Sequence, residues 1–469
     1  MSTGRKVLWV FILIFLHSQV NFVWAISISE EKKMAGEFMK AISMQNKLIK
    51  DPMSVALVSE VGRRIVDQLP PQPFPFSFYI VDDGQFNAFA TPGGNIFVHR
   101  GLITALDNVD ELAGILGHES AHAACRHVSQ MIDRSKVVNM GTLAGVLAGV
   151  LVGVAGGADA GQAVVMGSMA VGQTSMLAYS RENETEADQK GIVLTQAASF
   201  SPRGLLTGLE KIRSQDWYGS EKIPGYLKTH PGSAERIVYI SSWLDRHGDE
   251  IKANNGIDPF RFDLVKYRLA GFYGDVDETE QKFIHLLEKN PDDPAVHYGM
   301  AVLLSRVSRL DEALVHVRQA LAKRVFDPYI LLEAGHIYLL ARDGKKAFDL
   351  MGGLEKIPTI ATQTIYYQAW ALWMMGAGDK AERGLLKTIQ TAGDVFPKSY
   401  YFMADVVRQR QQTDQTHYYL GRYYHEINSF KNAVFHLKKS VDLLPDGEMK
   451  TTAREILGKM EKQKKKRRG

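Results

Sequence analysis

The sequence predicts two mostly helical parts in tandem. The first is an α+β, mostly helical domain with a small β-sheet, and the second is an all-α solenoid of helical repeats. From Asp110 to Ile132, "DELAGILGHESAHAACRHVSQMI" places its apolar residues at helical spacing, with Asp110 and Glu111 early. From about residue 258 to 460 the pattern is helical and recurs every 34 residues. The sheet is expected around "NIFV", residues 95–98, for reasons given below.

The chain opens with a positive pair, Arg5 and Lys6, then an apolar run from Val7 to Leu16, then Val23-Trp24-Ala25. That is the secretory pattern, and it marks residues 1–25 as a signal peptide. An uncleaved anchor is the alternative, although the apolar run is short for a membrane span. No cysteine lies near Ala25, which argues against a lipoprotein, and Cys125 is alone, so no internal disulfide is available. Length (469 residues), 45% hydrophobic and 23% charged content fit one to three globular domains. The net charge of +4 comes mostly from a basic tail, residues 461–469, where Lys462, Lys464, Lys465, Lys466, Arg467 and Arg468 cluster. The rest is near neutral, and no basic face points to nucleic acid. Residues 26–250 carry every chemical motif; "ANNGIDP" reads as a linker to the repeats at 258–460.

Thr279, Ala313, Ala347 and Ala381 lie 34 residues apart, each after a turn-like segment. A further unit, "YYLGRYYHEINSFKNAVFHLKKSVDLLP", has Leu420, Gly421, Tyr424, Ala433 and Pro445 in matching places. Small residues let the two helices of a hairpin approach closely, and proline ends the unit. These segments resemble the tetratricopeptide repeat. The spacing from Ala381 to Ala433 is 52, so an insertion or half-repeat is expected near "SYYFMADVVRQRQQ". Such arrays form curved surfaces that bind protein segments. An irregular helical bundle is the alternative.

"HESAH", His118 to His122, is an instance of H-E-x-x-H. Residues i and i+4 share a helix face, so His118 and His122 can offer two imidazole nitrogens to one zinc ion. Glu119 points to the side, where it can take a proton from an activated water. A zincin-like metalloprotease domain binding one Zn2+ per chain fits this motif. The longer H-E-x-x-H-x-x-G-x-x-H pattern is absent, because Cys125 and Val128 occupy the glycine and last histidine positions. His127 is therefore read as a surface or packing histidine, and Cys125 as a small buried apolar residue. In "SRENETEADQKG" three glutamates compete for the third ligand position. Glu184 and Asp188 are four apart and share a face, so Glu184 can bind zinc while Asp188 orients a ligand histidine. Glu182 and Glu186 fall on the other side and are expected to be solvated.

"HESAH" followed by "SRENETEAD" resembles the metallopeptidase family that includes HtpX and the CAAX prenyl proteases. So do "FNAFATPGGNIFVHRGLI", residues 86–103, and the later "THPGSAERI", in which His230 and Arg236 match a T-H-P…R segment. The signal segment and the repeats narrow the resemblance to the BepA type, the beta-barrel assembly-enhancing proteases of the Gram-negative periplasm. The resemblance implies that Glu184 is the third ligand. It implies that "NIFV" is an edge strand that receives substrate backbone, with Asn87 assisting, and that His230 reaches the zinc, supported by Arg236. Whether His230 then stabilises the transition state or blocks the water site stays open.

Gly141, Gly145, Gly149, Gly153 and Gly157 are spaced by four, and Val137–Ala158 carries no charge over 22 residues. The uncharged run Ala160–Ser180 follows, so a membrane-spanning hairpin of the HtpX kind is geometrically available. Gln162, Ser168, Gln173, Thr174 and Ser175 are costly in lipid, which favours a packed hairpin at most touching a membrane surface, with the basic tail helping. The expectation is a periplasmic zinc metalloendopeptidase that degrades misfolded or stalled envelope proteins. Its repeats would hold substrates or dock on outer-membrane barrel assembly machinery, with chaperone activity alongside. The alternatives are a latched or inactive protease acting as chaperone or adaptor, and an integral membrane protease.

Overall fold

The computed structural model describes residues 26–44, 47–135, 180–217, 225–247 and 255–466. The signal segment and the uncharged stretches between Val137 and Ser180, Ser180 apart, lie outside the described residues. Among the described residues no helix is long and apolar enough to cross a membrane. Among the described residues the chain is mostly helical with one small sheet, as its patterning predicts. It forms two compact units, one drawn from Met1–Leu48, Val61–Leu102 and Asp110–Asn255, the other from Ile49–Glu60, Ile103–Val109 and Gly256–Gly469.

Up to residue 247 the elements are α1 (Ile28–Met44), β1 (Leu48–Ile49), α2 (Pro52–Val66), β2 (Ser77–Val81), β3 (Ala88–Thr91), β4 (Asn95–His99) and α3 (Arg100–Ala105). Then come α4 (Val109–Ala124), α5 (His127–Ser135), α6 (Arg181–Ala197), α7 (Arg203–Trp217), α8 (Gly225–Thr229) and α9 (Ser233–His247). The sheet order is β1-β2-β4-β3, with β2 parallel to β4 and β3 antiparallel to it. Gly93 and Gly94, at φ of 82° and 80°, make the β3–β4 turn in a backbone region that residues with a Cβ avoid. This corrects one expectation. "NIFV" lies within β4, an interior strand buried at every position, and β3 is the edge beside it.

Along α1, Met34, Phe38 and Ile42 recur at i, i+4 and i+8 and bury one stripe against Val81, Phe89 and Phe97 of the sheet and Val128 and Ile132 of α5. Phe38 meets Phe97 edge-on, with ring centres 5.2 Å apart. Two glycine crossings bring the remaining helices onto α4. A Cβ on Gly191 of α6 would lie 2.9 Å from the His118 backbone nitrogen, so α6 crosses α4 at van der Waals contact beside the histidine. Gly204 likewise lets α7 approach the backbone at Asp110, whose carboxylate accepts the Ser201 backbone N–H at 3.0 Å.

In the second unit, helices pair as Pro259–Tyr273 with Val276–Lys289, Pro294–Arg306 with Leu310–Lys323, Pro328–Leu340 with Gly344–Leu350, and Ala361–Met374 with Gly378–Ala392. Thr279, Ala313, Ala347 and Ala381 are buried, each on the second helix of its pair. Ser308, Arg342 and Gly376 turn three of the hairpins in left-handed conformation (φ of 64°, 64° and 75°), again 34 residues apart. The extra length before Ala433 is one additional helix, Lys398–Gln409, ahead of the pair Thr413–Glu426 and Phe430–Leu443. The last helix, Glu448–Lys466, includes the first six residues of the basic tail.

Candidate metal centre

The helical register of α4 puts His118 and His122 one turn apart, with their Nε2 atoms 3.0 Å from each other. Helix α6 starts at a serine cap, where Ser180 accepts the Asn183 N–H. Its first turns carry Glu184 and Asp188 inward on one face, and both are buried. A Glu184 oxygen lies 3.3 Å from His122 Nε2 and the other lies 3.6 Å from His118 Nε2. From the turn before α9, His230 places Nδ1 3.3 Å from His118 Nε2 and 3.0 Å from Glu184. Tyr226 stacks on the His230 ring, with centres 4.3 Å apart.

These four side chains fit a metal ion. Their ligand atoms all lie within 4.8 Å of one another. A tetrahedral ion with bonds of about 2.0–2.2 Å needs ligand–ligand edges of about 3.3–3.6 Å, close to the spacings found. Asp188 lies 2.8 Å from His118 Nδ1 and so fixes the tautomer that leaves Nε2 for a metal. Arg236 grips Asp188 through two N–H groups, at 2.8 and 2.7 Å, and also pairs with Glu184. Tyr239 donates its hydroxyl to Asp188 at 2.5 Å.

Glu119 is fully buried beside this group, and neither of its carboxylate oxygens has a hydrogen-bond partner. His230 Nε2 is 3.5 Å from it. Burial pushes the Glu119 carboxyl above its ordinary range, against the pull of His230 and His118. Burial acts the same way on Glu184, but His230 and Arg236 overcome it and hold that carboxyl well below its ordinary range. Two neighbouring carboxylates are thus driven apart, the usual preparation for one to ligate and the other to exchange protons. Burial, reinforced by the charge of His118, drives the His122 imidazole well below its usual range and keeps it neutral, as a ligand must be.

The structure therefore brings together His118, Glu119, His122, Glu184, Asp188, His230 and Arg236. Asn87 precedes edge strand β3, buried and with its Oδ1 unpartnered, next to Phe86, whose carbonyl accepts the Tyr226 N–H at 3.1 Å. One expectation changes: Cys125 is only part-buried, with its Sγ 3.0 Å from the Lys190 ammonium, because it lies at the end of α4 beside the exposed face of α6. His127 is buried, with Nδ1 2.9 Å from His122 Nδ1 and Nε2 3.1 Å from Glu186. It reaches there because Arg126 takes a left-handed conformation (φ 57°), ends α4 and starts α5 on a new axis. Glu186 is half exposed yet bonded to Lys190 at 2.7 Å, and the Lys190 and His127 hydrogen bonds hold its carboxyl at about 2. Tyr226 and Tyr239 carried no signal in the sequence, and the partners of His127 and Glu186 could not be read there, since each acts through a neighbour supplied by a different segment.

A buried His-His-Glu group with the Glu119 carboxylate beside it is the donor set and proton acceptor that a metallopeptidase site requires. Residues 55–244 match the family model of peptidase family M48. It is 30% identical over 318 residues to the beta-barrel assembly-enhancing protease of Yersinia pestis, covering 67% of this chain and 62% of that one. With the protein of that name from Escherichia coli (strain K12) it shares 27% identity over 318 residues, with the same coverage. With the mitochondrial metalloendopeptidase OMA1 of Schizosaccharomyces pombe it shares 28% over 222 residues, 47% of this chain and 62% of that one. The chain thus spans less than two thirds of the length of each of these relatives.

Proposed function

We propose that the protein is a zinc metalloendopeptidase of the bacterial cell envelope that degrades misfolded or stalled outer-membrane proteins. The observation that carries this is Glu119, a buried carboxylate with no hydrogen-bond partner, set against a three-ligand group. His118, His122 and Glu184 hold the ion. Zinc bound there supplies Lewis-acid activation of water and of the scissile carbonyl. Glu119 takes a proton from the attacking water at a carboxylate oxygen and passes it to the leaving amine. Asp188 and Arg236 keep His118 and Glu184 in place. Substrate backbone adds at the β3 edge, near Asn87. The helix pairs at 258–460 act as tetratricopeptide repeats that hold substrate or dock on assembly machinery in the periplasm.

A second reading has its own support. His230 sits among the ligands, and His118, His122, Glu184 and His230 are all buried. That arrangement supports a latched enzyme, one that serves as a chaperone until His230 turns out. Cleavage of casein with zinc present, by wild type, Glu119→Gln and His230→Ala, tests both readings. Glu119→Gln is expected to lose about 10²- to 10⁴-fold in rate while still binding zinc. A faster His230→Ala makes His230 a latch, and a slower one makes it a partner in catalysis. No cleavage by any of the three would leave the chaperone reading.

A further inference from the structure

Beside the metal centre lies a second group of ligand-type side chains: Cys125 Sγ, a ring nitrogen of His127 and the Glu186 carboxylate, all within 4.8 Å of one another. We propose that it is a second divalent-metal site, and that filling it weakens the first. The coupling half of this rests on reading His118, His122 and Glu184 as metal ligands; the second site itself does not.

The spacing matches. Sγ is 3.6 Å from Glu186 Oε1, and His127 Nε2 is 3.1 Å from Oε2. A tetrahedral ion bonded to sulfur at about 2.3 Å and to nitrogen or oxygen at about 2.0–2.2 Å has edges of about 3.5–3.7 Å to the sulfur and about 3.3–3.6 Å between the lighter ligands. The place already holds a cation. The Lys190 ammonium is 2.7 Å from Glu186 Oε1 and 3.0 Å from Sγ, on a side chain 54% exposed that can swing into water. A thiolate, a carboxylate and a neutral imidazole give the net charge of −2 that suits Zn2+ or Co2+. Binding releases the thiol proton to solvent, and water completes the shell.

The coupling follows from proton placement. When His122 ligates through Nε2, its Nδ1–H must donate to His127 Nδ1, 2.9 Å away. His127 then carries its own proton on Nε2, donated to Glu186. A metal taking that Nε2 moves the His127 proton to Nδ1. Two N–H groups then face each other, and His122 loses its acceptor. Partners of this kind are worth about 10- to 100-fold in metal affinity, so loading the outer site should loosen the inner one by that order.

Cys125 is the only cysteine of the chain, so sulfur ligation can be assigned to one residue. Titrate Co2+ into the metal-free full chain and follow the near-ultraviolet thiolate-to-cobalt band. The band is expected with the second equivalent, to be absent in Cys125→Ser, and to need at least about tenfold more cobalt in Glu186→Gln. In parallel, because the coupling is reciprocal, the cobalt needed for the band is expected to be about tenfold lower in His118→Ala, whose inner site lacks a ligand, than in wild type. Absence of the band at millimolar cobalt overturns the site. An equal cobalt requirement in His118→Ala and wild type overturns the coupling. A chain that cuts casein but shows no band refutes the second site and leaves the peptidase reading standing. A chain that shows the band but cuts nothing does the reverse.

Discussion

Arg236 reaches two acidic partners in the metal centre, Asp188 and Glu184. Its planar fork satisfies both Asp188 oxygens' needs from one side, while its remaining nitrogen pairs with Glu184. Burial opposes its charge, but Asp188 and Glu184 hold the guanidinium protonated far above any accessible pH. Lysine keeps the charge and loses the fork. Arg236→Lys should therefore leave Asp188 loosely held, let His118 turn, and lower metal affinity by about 10- to 100-fold, read by competition with a chromogenic chelator. Thermal stability of the metal-free chain should fall far less than in Arg236→Met, which strands two buried carboxylates and costs about 3–5 kcal/mol. Equal zinc affinity in Arg236→Lys and wild type would show that the guanidinium only balances charge.

At the scale of elements, the site exists because α4 and α6 touch through glycines. A Cβ at Gly191 would sit 2.9 and 3.0 Å from the backbone nitrogen and Cα of His118, and 3.1 Å from the Gly117 carbonyl carbon. Backbone cannot swing aside, so Gly191→Ala must push α6 away by a few tenths of an ångström and carry Glu184 with it. Overpacking of about 1–3 kcal/mol is partly offset by the roughly 1 kcal/mol that alanine gains in a helix. Metal affinity should drop clearly even where stability barely moves. Gly208→Ala is the control: its nearest neighbour is the Ile115 Cδ1 at 3.6 Å, so it should be neutral or stabilising by up to about 1 kcal/mol, with metal affinity unchanged. The sequence displayed the parts of this site that depend on one helix's period. His118 with His122, and Glu184 with Asp188, are i,i+4 pairs and can be read directly. The strand "NIFV" could not be placed as interior, because strand order is set by pairings between segments. His127 could not be joined to His122, because that contact depends on a left-handed turn at Arg126, a residue type that seldom adopts one.

Across the whole molecule, the second unit is closed by a pairing that no local pattern announces. Arg268 sits on the first repeat helix and donates to Asp51 at 2.8 Å, 217 residues earlier in the chain. It also donates to Tyr298 at 3.1 Å and to Glu333 at 2.6 Å, which lie on the first helices of the next two pairs. One buried guanidinium thus joins the segment Ile49–Glu60 to three successive hairpins of the same unit. Burial alone would raise the Glu333 carboxyl, but Arg268, with help from His336, holds it at about 2. A carboxyl lowered on folding contributes stability above its unfolded value, near 4.5, and that contribution is lost as pH falls toward 2. Arg268→Met removes the larger of the two opposing influences and leaves burial, the strongest influence of all, opposed by His336, so the folded carboxyl should then lie above the unfolded one. The variant's Glu333 would take up a proton on folding, and its stability would fall as pH rises. The expected loss near pH 7 is about 3–5 kcal/mol, read as a lower urea midpoint. The gap between wild type and variant should narrow from pH 7 to pH 4. Adding Glu333→Gln to Arg268→Met should recover part of the loss and flatten that pH dependence, since the stranded charge is gone. A gap equally wide at both pH values would mean that Arg268 holds the unit through its packing and its bond to Asp51, with Glu333 a bystander.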